Sequence, residues 1–557
     1  MDLKTTTGIF MRKAFLLAGL GFSVLTATAQ KKQADLVLYN ATLYTVDAKF
    51  SVASAMAVKD GKILETGDSK AMLSQYNAKE KVDAKGAAVY PGFNDAHAHF
   101  LGYSLGLQTA NLVGTESWDE IVNRVQDFAK KKNLRPGQWL VGRGWDQNDW
   151  AVKEFPSKEK LDELFPANPV LLTRVDGHAA IANQRALTLA GVTANTKLIG
   201  GQIEVKNGKL TGILVDNAVG LVGSKIPQPS VAQASNALLE AQQNCFAVGL
   251  TSLSDCGVSY QTALLFDSLQ KKGLLKMRVY AMLSDATTNY NWAWAHGKIK
   301  TASLNVSSFK VYADGALGSR GACLLQPYAD KPEWTGFLLS SQKHFDSVAA
   351  VIYKMGWQMN THAIGDSGNR TILNIYGKYL KGKNDRRWRI EHAQVVNPVD
   401  FALFGRYNIV SSVQPTHATS DMYWAVDRLG KERVKGAYAY KELLRQNAWI
   451  PLGTDFPVED ISPFKTFYAA VFRMDAKGYP AGGFQTENAL SREEAIRGMT
   501  IWAAKAAFEE GEKGSLEKGK LADFIILDHD LMKAPAADVI DAKVLATYIS
   551  GVKVYGK

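Results

Sequence analysis

From residue 248 to 458 short apolar runs recur along the chain: "VGLTSLSDCGV", "MRVYAMLSD", "SSFKVYADG", "WQMNTHAIGD", "WRIEHAQ", "NIVSSVQPTHA" and "WIPLGTDFPV". Segments such as "QKHFDSVAAVIYKMG" lie between them, and "PSVAQASNALLEAQQNCFAVG" lies before the first; both have the spacing of amphipathic helices. Alternation of strand and helix over such a length predicts a parallel sheet, because parallel neighbours need a crossover of helix size. With the run at 88–93 the strands number about eight, the count that closes a (β/α)8 barrel.

The two ends have a different texture. Residues 34–90 read as short strands and turns, and the tail from about 514, with apolar runs at Phe524–Leu527 and Val544–Ile549, reads the same way. Each end is too small to bury a core alone. Together they predict one small β-sandwich domain, 30–90 with 511–557, beside a barrel at 91–510. Residues 115–225 break the barrel rhythm. There "GQWLVGRGWDQNDW" and "GGQIEVKNGKLTGILVDN" are hairpin-like, and they predict an insertion after the first barrel strand, packed by its tryptophans.

Composition excludes several classes. With 46% apolar and 21% charged residues the chain reads as a globular protein. The formal net charge of +11 is spread among acids without a Lys/Arg block, which argues for a solvated surface and against a nucleic-acid partner. The three cysteines, Cys245, Cys256 and Cys323, are too dispersed for a disulfide framework and read as small buried residues. The N-terminus carries Arg12 and Lys13, an apolar run, and Ala27-Thr28-Ala29 before Gln30. That pattern predicts a signal peptide over 1–29, with its natural start at Met11 and export, most simply to a periplasm. The apolar run is too short for a lasting span, so no membrane anchor is expected after cleavage. A homo-oligomer is compatible with the sequence.

"PGFNDAHAHF" holds His97 and His99 one residue apart. Such a pair alone is ambiguous between metal ligands and two polar residues near a strand start. Three further signatures fall at candidate strand ends: His362 in "WQMNTHAIGD", His392 in "WRIEHAQ" and Asp455 in "WIPLGTDFPV". In an extended segment i and i+2 share a face, so His97 and His99 can reach one ion. The C-terminal ends of barrel strands are where such a fold does its chemistry. Four of the nine histidines thus stand in the order HxH, H, H, closed by an Asp, which points to a metal site.

This ordered set resembles the amidohydrolase superfamily over nearly all of the chain. The likeness is strongest to amidohydrolase family 3, which includes N-substituted formamide deformylases. "FKVYADGALGSRGACLLQPYAD" (309–330) is similar to that subgroup's distinctive stretch, with Gly321 where Thr is usual. "RVDGHAAIANQRAL", "SVQPTHA" and "RGWDQNDW" share the resemblance. It implies that His97, His99, His362, His392 and Asp455 are metal ligands. It also implies that Lys310, carboxylated on its amine, bridges two ions; the alternative is a salt-bridged lysine and a mononuclear site. His178 in "DGHAA" resembles a substrate-facing residue, an oxyanion or leaving-group contact, against the alternative of a packed surface histidine. Asp314, Arg320, Gln414 and His417 are further pocket candidates, although "DGALGSR" alternatively forms a loop that orders Lys310.

One or two divalent ions are expected. His and carboxylate ligands suit Zn²⁺, and the same set also takes Mn²⁺, Fe²⁺ or Co²⁺. Such an ion lowers the pKa of its water to roughly 7. Asp455 then serves as base and later as acid, which predicts hydrolysis of a non-peptide C–N bond in a small amide, formamide or cyclic amide. A deaminase or a carbamate/ester hydrolase on the same site is the second enzyme reading. A metal-bearing binding protein without catalysis is the third, and retention of Asp455 beside the histidines speaks against it.

Overall fold

The computed structural model describes residues 31–556. The signal segment predicted over 1–29, with Met11, lies outside the described residues. None of the described helices is long and apolar enough to cross a membrane.

The barrel expected from the alternation is present. Its parallel strands run in order as β1 (Phe93–Ala98), β2 (Leu250–Val258), β3 (Arg278–Ser284), β4 (Leu304–Tyr312), β5 (Gln358–Ala363), β6 (Arg389–His392) and β7 (Val410–Ser412). The eighth position is not a regular strand. Residues 451–456 fill it, with Gly453 N donating to Val413 O at 3.0 Å on one side and Ala96 N to Leu452 O at 3.1 Å on the other. Pro451 and Pro457 bracket this stretch and supply no N–H, so a full ladder cannot form there. Crossover helices such as Val231–Ala247 and Gln342–Met355 start at Ser230 and Ser341, whose hydroxyls accept amide protons of the first turn.

The run at 88–93 divides between two sheets. Ala88–Pro91 belongs to a six-stranded sheet with Thr42–Tyr44 and Val52–Ala53 from one end of the chain and Phe524–Leu527, Val544–Ile549 and Val552–Gly556 from the other. It pairs with both Thr42–Tyr44 and Phe524–Leu527 and so joins the two termini. The barrel begins only at Phe93, after Gly92, where a Cβ would overlap the Thr251 side chain of β2. A second sheet of Lys32–Tyr39, Ala55–Lys59, Lys62–Gly67 and Tyr76–Asp83 completes this terminal region. Leu36, Leu38, Val58, Phe524 and Tyr548 share one core between the two sheets.

Between β1 and β2 stands a mixed six-stranded sheet running from Ala110–Asn111 to Lys209–Asp216. "GGQIEVKNGKLTGILVDN" is a hairpin, Gly201–Lys206 against Lys209–Asp216. "GQWLVGRGWDQNDW" is not: Leu140–Trp145 runs parallel to Val170–Arg174 and then turns through Gln147–Asp149. Trp145 and Trp150 are buried in the core of this unit.

One buried ion pair fastens the terminal sheets to the barrel. Arg278 at the start of β3 donates from Nε to Asp523 Oδ2 at 2.6 Å and from Nη2 to Asp523 Oδ1 at 2.9 Å, with Ser550 Oγ at 2.8 Å. Removing one partner leaves a buried charge without its counterpart. Asp523→Ala is therefore expected to cost about 3–5 kcal/mol, read as a lowered urea midpoint with an unchanged slope.

Candidate metal centre

Residues from five barrel positions meet at the C-terminal mouth. His97 and His99 leave β1, Lys310 lies near the end of β4, His362 on β5 and His392 at the end of β6, and Asp455 stands in the closing segment. His97 Nε2 is 3.2 Å from Lys310 Nζ and 3.5 Å from Asp455 Oδ1. His99 Nε2 lies 3.1 Å from the same carboxylate oxygen, and His417 Nε2 lies 3.5 Å from Asp455 Oδ2. The rings of His362 and His392 are 4.6 Å apart, and those of His97 and His392 are 4.7 Å apart.

The donor set fits a metal. His97, His99 and Asp455 form one group, and His392, His417 and Asp455 form another, with ligand atoms within 4.8 Å of one another in each. His362 Nε2, His392 Nδ1, His417 Nε2 and Asp455 Oδ1 are buried and have no hydrogen-bond partner among the described residues. Buried polar atoms are ordinarily paired, so four orphans in one cluster mark a place for a cation. His392 and Asp455 also hold positive φ values of 73° and 63°, conformations that non-glycine residues keep only where the surroundings enforce them.

Other side chains enforce them. Asp95, two residues before His97, accepts from His97 N at 3.0 Å, Thr454 N at 3.0 Å and Thr454 Oγ1 at 2.6 Å, tying β1 to the segment that carries Asp455. Glu391, one residue before His392, holds His97 Nδ1 at 2.5 Å and so turns Nε2 toward the cluster. Arg389 supports Glu391, with Nε 2.6 Å from Oε1, and donates to Ala96 O at 2.5 Å and Ser412 Oγ at 2.9 Å. Sequence reasoning missed Asp95 and Glu391, although both stand inside the motifs "NDAHAHF" and "RIEHA".

Electrostatics favours the ligand forms. Burial, with Lys310 nearby, lowers His97 to about 4, and burial drives His362 and His392 well below the ordinary imidazole value. Burial alone would raise Asp455, but His97 and His99 hold its carboxyl well below the usual carboxylate range. Glu391 resists the same burial through Arg389 and His97 and lies at about 2. Neutral imidazoles around an ionised carboxylate are what a divalent ion binds without displacing protons.

The cluster opens into a cavity of about 780 Å³ whose far wall comes from the inserted sheet: Arg143, Asp146, Arg174, Asp176 and His178. His178 thus faces the cavity, 5.0 Å ring to ring from His362, and its Nδ1 meets Asp216 Oδ1 at 2.6 Å. His417 lines the cavity as well. Asp314, Arg320 and Gln414 are not among its lining residues, and each has a physical reason. The Asp314 carboxylate is consumed by the amides of Cys323, Ile364 and Gly365 at 2.8–2.9 Å, pinning the loop after β4 to the end of β5. Arg320 pairs with Asp330 at 2.9 Å in a separate, smaller pocket. Gln414 is buried, with Nε2 on Ser412 O at 3.3 Å.

A sequence profile described as the amidohydrolase family matches residues 80–555, almost all of the described chain. The chain belongs to the amidohydrolase family. It is 34% identical over 541 residues to the Arabidopsis thaliana protein LONG AFTER FAR-RED 3, covering 94% of this chain and 92% of that one. It is 27% identical over 545 residues to an N-substituted formamide deformylase of Arthrobacter pascens, covering 94% and 98%. The crystal structure of an uncharacterized metal-dependent hydrolase from Pyrococcus horikoshii superposes with a TM-score of 0.73 at 26% identity, covering 90% of this chain and 99% of the other. As a metal-dependent amidohydrolase, the protein should depend on Glu391 for metal retention. Glu391→Gln is expected to weaken metal affinity about 10–100-fold in a chelator competition, with the circular dichroism spectrum unchanged.

Proposed function

We propose that this amidohydrolase cleaves a non-peptide C–N bond in a small amide, formamide or cyclic amide. The observation that carries the reading is the set of orphaned buried donors around Asp455, open to a cavity of small-molecule size. His97, His99, His362, His392 and Asp455 would hold the metal, with Zn²⁺ the ion best suited to imidazole and carboxylate. Bound there, a divalent ion supplies a water of lowered pKa and a positive charge that polarises the scissile carbonyl. Asp455, kept ionised by its histidine neighbours, takes a proton from the attacking water and returns it to the departing nitrogen. His178 meets the substrate's oxygen or leaving group from the opposite wall. Leu107, Val113, Trp424, Val458 and Ile461 offer an apolar face to the substituent.

Lys310 supports a second ion. It is fully buried, and among the described residues no carboxylate lies within 4.0 Å of its Nζ. An ammonium there would repel a cation beside it, whereas a carbamate formed with CO₂ is an anionic oxygen ligand. The segment from Met11 to Ala29 supports export of the mature enzyme.

The direct test is a panel of N-formyl and N-acyl amines, cyclic imides and carbamates, offered to Zn- and Mn-loaded protein. Turnover of amide-type members is expected; turnover of carbamates alone would overturn the amide reading. Metal analysis should return about two ions per chain, and Lys310→Ala should return about one. Asp455→Asn should keep the fold and lose activity by a factor on the order of 10²–10⁴.

A further inference from the structure

The inserted sheet and the loop after β4 meet at Asp216, and we infer that Asp216 is the positioning residue of His178. The inference rests on the reading of His178 as a substrate-facing group and adds a residue that neither motif nor metal chemistry assigns.

The pair is tied twice. Asp216 Oδ1 meets His178 Nδ1 at 2.6 Å, and Asp216 N donates to His178 O at 2.7 Å. With Nδ1 committed to the carboxylate, Nε2 is the nitrogen left for the cavity. The Asp216 side chain is fully buried, whereas His178 keeps 16% of its side chain exposed. Asp176, the other nearby acid, is already paired with Arg174 at 2.5 Å and accepts from the His178 amide at 2.9 Å, so it does not compete for the ring.

Three local irregularities converge on that one bond. Asp216 adopts φ 52°, ψ −122°, a conformation that L residues avoid. Its second oxygen, Oδ2, is buried without a hydrogen-bond partner. Gly315 and Gly321 flank the carboxylate so closely that a Cβ on either would overlap it. None of these is needed for the Gly201–Asp216 strand pairing, which runs through backbone groups alone. Each is accounted for if the carboxylate has to sit under the His178 ring. Glycine at 321 leaves the space that the Asp216 carboxylate occupies. Asp314 pins the same loop to the end of β5, the strand that carries His362.

The test uses the metal-loaded, full-length protein and the amide of the panel turned over fastest. N-benzylformamide is the first choice, because its ring suits the apolar wall. Asp216→Ala is expected to lower kcat about tenfold or more with KM within about threefold, and metal content unchanged; Asp216→Asn is measured in parallel in case the alanine variant folds poorly. The deciding readout is the cycle with His178→Ala. If Asp216 acts through His178, adding Asp216→Ala to His178→Ala costs less than about twofold more. Gly321→Ala should behave as Asp216→Ala does, and a crystal structure of Asp216→Ala should show the His178 ring turned from its place beside His362. Independent, multiplying losses in the cycle, or an unmoved ring in that structure, overturns the inference. A His178→Ala variant within about twofold of the parent instead overturns the reading of His178 itself, a separate result.

Discussion

A buried imidazole nitrogen without a hydrogen bond is a liability, and this protein keeps three of them within one pocket beside a buried carboxylate oxygen. Left alone, His362, His392 and His417 would rotate toward partners or toward solvent. Their neighbour His97 is fixed by a chain of supports. Glu391 holds the ring of His97, Arg389 holds Glu391, and Arg389 is itself held by the Ala96 carbonyl and Ser412. That chain runs through the barrel interior, from β6 to β1 and β7. It explains why the strand "RIEH" carries two charges in a fully buried element. Charges buried this way cost desolvation, so their presence points to the site they orient.

The same liability sets the electrostatics. Burial keeps the imidazoles of His362 and His392 neutral, because it penalises their charged form. Asp455 stays ionised against a similar penalty because the histidines surround it. Unlike groups are thus driven in opposite directions by one environment. The far wall extends the pattern: Arg174 neutralises Asp146 and Asp176 there, leaving His178 with Asp216 as its own acceptor.

Much of this was legible in the chain itself, and the reasons differ by element. The barrel showed because each strand–helix unit repeats a pattern with its own period. The cluster showed because HxH, two single histidines and an Asp fell at strand ends, where the fold does its chemistry. The supports did not show. Asp95 and Glu391 are ordinary acids in short strings, and only the closed barrel brings Thr454 or His97 against them. For Asp314 and Arg320 the motif "DGALGSR" allows two readings, pocket residues or a loop that orders Lys310. The backbone turns at Arg320, with φ 60°, and spends Asp314 on amides. Asp216 was invisible for another reason: its partner, His178, lies 38 residues earlier in the chain.

The eighth barrel position ties these threads together. A regular strand there would give Asp455 an extended backbone and would project its side chain according to the pleat. The bracketing prolines and the left-handed Asp455 release the segment from that pleat. Asp95 then fixes it through Thr454 rather than through a ladder. The carboxylate can therefore stand between two groups of histidines, with one oxygen toward His97 and His99 and the other toward His417. A more regular eighth strand would make a better barrel and a poorer site. The irregularity of "WIPLGTDFPV" is thus the backbone's share in building the centre.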